Sequence, residues 1–224
     1  MATPSIVSTT LLRNVPMFAG LDEPQLSVLV RMVVRKSFAR NIVIIAAGDP
    51  TDSLYIILNG RLKVLMSDGE GREVILSILD PGEFFGEMGL LDDSPRSASV
   101  VAIEPCELLS ISKTDFKRTL SENFELSLMV MRGLVKRLRE ADQKISSLAL
   151  MDVYGRVARL LLEMSEDVDG QKVVTKKLPK QDIAKMIGAS REMVSRVMKD
   201  LQLGGYIEVR GRTIVLRENI LLAE

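Results

Sequence analysis

Apolar residues Leu26, Leu29, Val30 and Val33 recur at helical spacing. Asp22 precedes them, followed by Glu23 and Pro24. A capping acid with a proline in the first turn predicts a helix start there. From about residue 34 to 112 the period changes. Short β-rich runs follow at 41–46, 54–58, 61–66, 74–79, 98–103 and 108–111. Gly48, Gly60, Asp68-Gly69, Gly71 and Pro81-Gly82 punctuate them. Many short strands so closely spaced predict a small antiparallel barrel or jelly roll.

From about residue 122 the period is helical again. Met131, Leu134, Leu138, Ala141, Ile145 and Leu148 alternate steps of three and four, a heptad seam. Arg132, Lys136, Arg137, Arg139, Glu140 and Lys144 flank it. A narrow apolar seam with charged flanks predicts pairing with a second copy of the chain. Met151-Asp152-Val153-Tyr154 reads as a hinge capped by Asp152, and 153–164 as a further amphipathic helix. Residues 166–170 read as an acidic turn. The stretch 178–201 reads as helix, tight turn at Gly188, and second helix capped by Ser190. A hairpin of 206–209 and 213–216, joined by Arg210-Gly211-Arg212, completes a winged helix-turn-helix.

The chain of 224 residues, 46% hydrophobic, is long enough for one large domain or two modest ones. Its formal net charge is zero, so no global field points to nucleic acid or membrane. Locally the balance differs. Lys172, Lys176, Lys177, Lys180, Lys185, Arg191 and Arg196 face only Asp182 and Glu192 between 172 and 196. The one cysteine, Cys106, cannot close an internal disulfide, and there is no histidine. Zinc, haem and iron–sulfur sites are therefore not expected, and the commonest general base is missing. The first residues show no basic segment followed by an apolar core and a small-residue cleavage site, and no run of about 18 apolar residues occurs, so a cytoplasmic location without a membrane span is expected.

Residues 85–100 hold glycines, one acid and an Arg-Ser pair between strand-like runs. They read as a loop and short helix suited to an anionic sugar-phosphate. Arg96 can neutralise a phosphate and Ser97 adds a hydroxyl donor. Glu87 can accept from a ribose hydroxyl, while Gly86 and Gly89 let backbone approach closely. The alternative is a structural turn closed by a Glu87–Arg96 salt bridge; the chemistry of the residues leaves both open. In the second half, Arg191, Glu192 and Arg196 lie early on the second helix of the pair. Arginine can bind guanine and glutamate can accept from cytosine in the major groove. The alternative there is a solvated helix face.

Gly86-Glu87-Met88-Gly89-Leu90, followed by Arg96-Ser97-Ala98, resembles the phosphate-binding cassette of cyclic-nucleotide-binding domains. Leu148-Ala149-Leu150-Met151-Asp152-Val153 and Ser190-Arg191-Glu192-Met193-Val194-Ser195-Arg196 resemble the hinge and recognition helix of bacterial Crp/Fnr transcription regulators. The resemblance runs from about residue 18 to 216. It implies an α+β chain: an N-terminal double-stranded β-helix (jelly-roll) cyclic-nucleotide-binding barrel over 1–121, a dimerisation helix and hinge over 122–151, and a winged helix-turn-helix over 152–224. It implies a non-enzymatic homodimer on a two-fold symmetric double-stranded DNA site, with RNA polymerase as a further partner. It needs no cofactor beyond an allosteric cyclic nucleotide. Carried over by position, the ligand would meet Gly86, Glu87, Met88, Arg96 and Ser97. DNA would meet Lys180, Gln181, Ser190, Arg191, Glu192, Ser195, Arg196 and Arg212.

One departure bears on the ligand. Cyclic-AMP-responsive members carry a Thr-Ser pair on the dimer helix where this chain has Ala141-Asp142. Arg139 and Asp142, three apart on one helical face, are similar to the Arg-x-x-Asp motif of some cyclic di-GMP sites. Both join the candidate ligand residues. Cyclic AMP is the expected ligand; the alternatives are cyclic di-GMP, or a ligand-independent regulator with a vestigial cassette.

Overall fold

The computed structural model describes residues 7–175, 178–211, 213–217 and 220. The chain divides into two units, Met1–Arg137 and Leu138–Glu224.

The first unit opens with α1 (Thr9–Arg13), a 3-10 turn at Pro16–Phe18 and α2 (Glu23–Val30). Asp22 caps α2 through a reciprocal pair: its carboxylate accepts from the Gln25 amide at 2.9 Å, and Gln25 accepts from the Asp22 amide at 2.9 Å. The strands follow: β1 (Val33–Phe38), β2 (Val43–Ile45), β3 (Ser53–Asn59), β4 (Leu62–Ser67), β5 (Glu73–Leu79) and β6 (Phe84–Phe85). Next come α3 (Met88–Leu91), β7 (Ser99–Ala102), β8 (Cys106–Ser112), α4 (Lys113–Glu122) and α5 (Phe124–Leu150), of which the residues up to Arg137 belong to this unit. The strands form two antiparallel four-stranded sheets, in the orders β1-β8-β3-β6 and β2-β7-β4-β5.

Strand period explains the packing. Along β3, Tyr55 and Ile57 join Ile45, Leu62, Phe85 and Leu108 in one core. Leu54 and Ile56 point the other way, into a second core with Phe18, Leu26, Phe116, Leu126 and Val130 from the helices. A strand buried on both faces shows a continuous apolar run, which is how 54–58 reads. Cys106 is buried, its thiol pushed up chiefly by burial, and it donates to Glu104 O at 3.0 Å.

Two readings change here. Val33, placed on the first helix by its spacing, opens β1 and pairs with Ile111. The remainder of β1 is Val34, Arg35, Lys36, Ser37 and Phe38, a mixed run with little apolar alternation. Helical structure also resumes at Lys113 rather than near 122. Ser112 caps α4 by accepting from the Asp115 amide at 3.1 Å.

In the second unit, α6 (Val153–Glu163), β9 (Glu166–Val168), β10 (Gln171–Val174), α7 (Lys180–Ile187), α8 (Arg191–Leu203), β11 (Ile207–Arg210) and β12 (Thr213–Leu216) follow the end of α5. Their sheet has the order β11-β12-β10-β9. Val157, Leu161, Ile183, Val194, Met198, Leu201 and Ile214 are buried. The acidic stretch 166–170 is a strand and the turn of a hairpin, with Asp169 and Gly170 at positive φ. As an exposed edge strand, β9 has no burial alternation for a sequence pattern to show. The wing, β11 with β12, stands as expected; Arg212 lies outside the described residues. No helix among the described residues is long and apolar enough to cross a membrane.

Candidate functional site

The cassette begins where β6 ends. Phe85 pairs with Tyr55 of β3, their rings stacked at 5.2 Å. Gly86 then takes φ +84°, and a Cβ there would lie 2.5 Å from Arg96 Nη1 and 3.3 Å from Ser53 O. Only glycine permits both the turn and the approach of the guanidinium. Gly89 is needed for closeness alone: a Cβ would lie 2.3 Å from Ser94 O and 2.4 Å from Thr51 Oγ1. The expected loop and short helix are present, with Glu87 at the N-terminus of α3.

Arg96 is buried and held from both ends. Its amide donates to Asp49 O at 2.9 Å, and its carbonyl accepts from the Gly48 amide at 2.8 Å. Its guanidinium donates to Gly86 O (2.9 Å), Ser53 O (2.7 Å) and Asp52 Oδ1 (3.2 Å). The Ser53 hydroxyl, donating at 2.8 Å, and the Arg96 charge hold the Asp52 carboxyl below its ordinary range against an opposing effect of burial. A groove of about 330 Å³ adjoins Arg96, lined by Ile44, Ile45, Asp49, Pro50, Asp52 and Tyr55.

Glu87 is 1% exposed. Oε1 accepts from Arg137 Nη1 at 2.5 Å, and Arg137 Nη2 donates to Phe84 O. Oε2 is buried with no hydrogen-bond partner. The Glu87–Arg96 salt bridge, one of the two sequence readings, is therefore not how this turn is closed; the partner of Glu87 is Arg137. Arg137 is not among the residues that the sequence singles out for the ligand. It stands 50 positions from Glu87, among several charges flanking an apolar seam, and nothing local singles it out. Ser97 donates to Met88 Sδ at 3.7 Å. The structure thus assembles Gly86, Glu87, Met88, Arg96 and Ser97 in the first unit. Arg139 and Asp142 are exposed positions of α5 in the second unit.

The helix pair follows its local signals. Gly188 ends α7 in the left-handed region at φ +66°, and Ser190 accepts from the Met193 amide at 3.1 Å to start α8. Val194, Met198 and Leu201 turn inward, leaving Arg191, Glu192 and Arg196 exposed and Ser195 half-buried. The first-turn amide of Glu192, followed by the Ser190 hydroxyl, holds the Glu192 carboxyl below its ordinary range. Lys180 and Gln181 are exposed at the start of α7. No group of acids and Cys106 among the described residues is disposed to hold a metal ion.

The profile of the cyclic nucleotide-binding domain matches residues 35–123, and that of the Crp-like helix-turn-helix domain matches 155–223. The cAMP-activated global transcriptional regulator Vfr of Pseudomonas aeruginosa is 35% identical over 213 residues, covering 89% of this chain and 98% of Vfr. The chain belongs to the Crp/Fnr family of transcription regulators. Another Crp/Fnr relative, the CRP-like cAMP-activated global transcriptional regulator of Mycobacterium tuberculosis, is 30% identical, covering 95% of this chain and 97% of its own. Among solved structures, the c-di-GMP responsive global regulator CLP of Xanthomonas campestris is 29% identical with a TM-score of 0.75, covering 87% of this chain and 99% of CLP. As a Crp/Fnr member, this protein is a DNA-binding transcription regulator that joins a cyclic nucleotide-binding domain to a Crp-like helix-turn-helix.

Proposed function

We propose that this regulator works as a homodimer switched by cyclic AMP. The observation that carries the reading is Glu87: a buried carboxylate with one oxygen unpartnered, in the same cassette as a buried guanidinium and a hydroxyl. An orphan acceptor in so dry a place is costly unless a ligand donates to it. A ribose hydroxyl is such a donor. Of the five N–H donors of Arg96, three are engaged, two of them on Nη2, so a cyclic phosphate gripped by the fork would take over the Nη2 contact to Asp52. Ser97 exchanges the weak Met88 thioether acceptor for a phosphate oxygen. Gly86 and Met88 line the approach. The relatives described as cAMP-activated support this nucleotide over others.

Arg191, Glu192 and Arg196 read base edges, while Lys180, Gln181, Ser190, Ser195 and Arg212 hold the backbone beside them. Two copies of α8 set about 34 Å apart meet successive major grooves of a two-fold symmetric site. The nucleotide shifts the chain toward this DNA-competent form only as far as it prefers that form. The protein acts in the cytoplasm, with RNA polymerase as the target of the bound dimer.

Cyclic di-GMP is the second reading. It is favoured by Arg139 and Asp142, both exposed and three apart on α5, and by the likeness to CLP. Calorimetric titration of the purified protein with cyclic AMP, cyclic GMP and cyclic di-GMP decides between them. Saturable binding of cyclic AMP that raises DNA affinity is the expected result. Full DNA affinity without any nucleotide would leave a ligand-independent regulator instead.

A further inference from the structure

Gly133 lies in the interior of α5, where alanine is the better helix former at an unconstrained site. The structure gives the reason that glycine stands there. A Cβ on Gly133 would lie 2.7 Å from Cζ and 2.9 Å from Cε1 of Phe84, inside van der Waals contact. Phe84 cannot readily retreat, because its ring is buried in the same core as Leu54, Ile56, Leu109 and Val130. One helical turn beyond Gly133, on the same face, is Arg137. Its guanidinium lies over the Phe84 ring, 4.9 Å from the centroid. The same guanidinium donates to Phe84 O and to Glu87 Oε1. Phe84 therefore offers Arg137 both a ring face and a carbonyl, and the notch at Gly133 lets the helix come close enough to use them.

We infer that Gly133 and Phe84 are positioning residues of the nucleotide site, seating Arg137 so that it holds the Glu87 carboxylate toward the ligand. This rests on the cyclic-nucleotide reading of the cassette. The geometry makes α5 answerable to the cassette through one cation. An added methyl at 133 displaces the helix from the ring, and Arg137 moves with it. Glu87 Oε1 then loses its partner while Oε2 is still waiting for one, and the carboxylate is no longer fixed where a ribose hydroxyl would meet it.

The test is a double-mutant cycle between Gly133→Ala and Arg137→Ala in the full chain, read by calorimetry with cyclic AMP. Gly133→Ala should weaken binding about 10-fold, the order expected for a lost charged hydrogen bond. In the Arg137→Ala background it should weaken binding no further, because the group through which it acts is gone. An equal loss in both backgrounds would mean general damage to packing and would overturn the inference, as would no loss in the first. Should Gly133→Ala not fold, Phe84→Leu replaces it in the cycle, keeping the notch and removing the ring beneath Arg137. Hydrogen–deuterium exchange of the ligand-free chain supplies a readout that needs no nucleotide. The amides of Leu90 and Leu91, which donate to Glu87 O at 3.0 Å, should exchange faster in Gly133→Ala but not additionally so without Arg137. Coupled exchange with no cyclic AMP binding by the parent protein would sink the ligand reading and leave the positioning role standing. Cyclic AMP binding with unchanged affinity and exchange in Gly133→Ala would do the reverse.

Discussion

Arg96 serves the fold as well as the candidate ligand. It satisfies the carbonyls of Gly86 and Ser53 and offsets the Asp52 charge. Arg96→Ala would strand those acceptors, at about 1–3 kcal/mol for each buried group. Arg96→Lys is the sharper probe. It keeps the cation but loses the planar fork, so cyclic AMP affinity should fall at least about 10-fold while far-ultraviolet circular dichroism is retained. Asp93 shows a different electrostatic arrangement. Lys113 and Lys117 reach its Oδ1 at 2.7 and 2.8 Å and lower its pKa from 3.8 to about 2, tying the cassette loop to α4. The folded value lies below the unfolded one, so this stabilisation is present above about pH 4 and is lost as pH falls through about 2. The difference in urea midpoint between the parent chain and Asp93→Asn should therefore be full at pH 7 and shrink toward zero near the bottom of that window. A difference independent of pH would refute the clamp. Neither Asp52 nor the two lysines was visible as a partner in the sequence, since each pairing joins segments far apart in the chain.

Among the elements, three helices with strong end signals were legible. Asp22 with Gln25, Asp152 with Gly155, and Ser190 with Met193 each place an acceptor three residues from the amide it caps. Such a signal is complete within one helical turn. Ser190→Ala should cost about 1 kcal/mol of stability, by loss of the cap that starts α8, measured by thermal or urea unfolding. Arg191, one position on, is exposed, so its removal should affect DNA rather than folding. Arg191→Ala is expected to cost roughly 1–3 kcal/mol at one base of each half-site; an equal loss on every sequence would reassign it to a phosphate. Helix α4 escaped the sequence despite its Ser112 cap, and the strands that escaped it include three without periodic burial. β1 is a mixed run, β6 has two residues, and β9 is an exposed edge. They are strands because neighbouring backbone is available to pair, which composition does not record.

Across the whole molecule, α5 carries the expectation of a dimer. Met131, Leu138, Ile145 and Leu148 are exposed at 47%, 63%, 65% and 54%, an apolar stripe that the single chain leaves in water. Leu134 differs from the rest of the expected seam, for it is packed against the first unit's own core. Ile145→Glu should therefore yield a folded monomer in analytical ultracentrifugation, with DNA affinity strongly reduced; an unchanged dimer would remove this stripe from the interface. The sequence by itself determined the succession of strand-rich domain, long helix and winged helix-turn-helix. Period, punctuation and caps are properties of neighbouring residues, and the cassette's glycines, acid and Arg-Ser pair fall within one short stretch. Only the tertiary structure decided what those side chains do. It gave Glu87 to Arg137 rather than to Arg96, gave Arg96 to Asp52 and two carbonyls, and set Gly133 against Phe84. Each of these contacts depends on how distant segments pack, and in a close-packed interior a difference of one methyl group decides which side chains can meet.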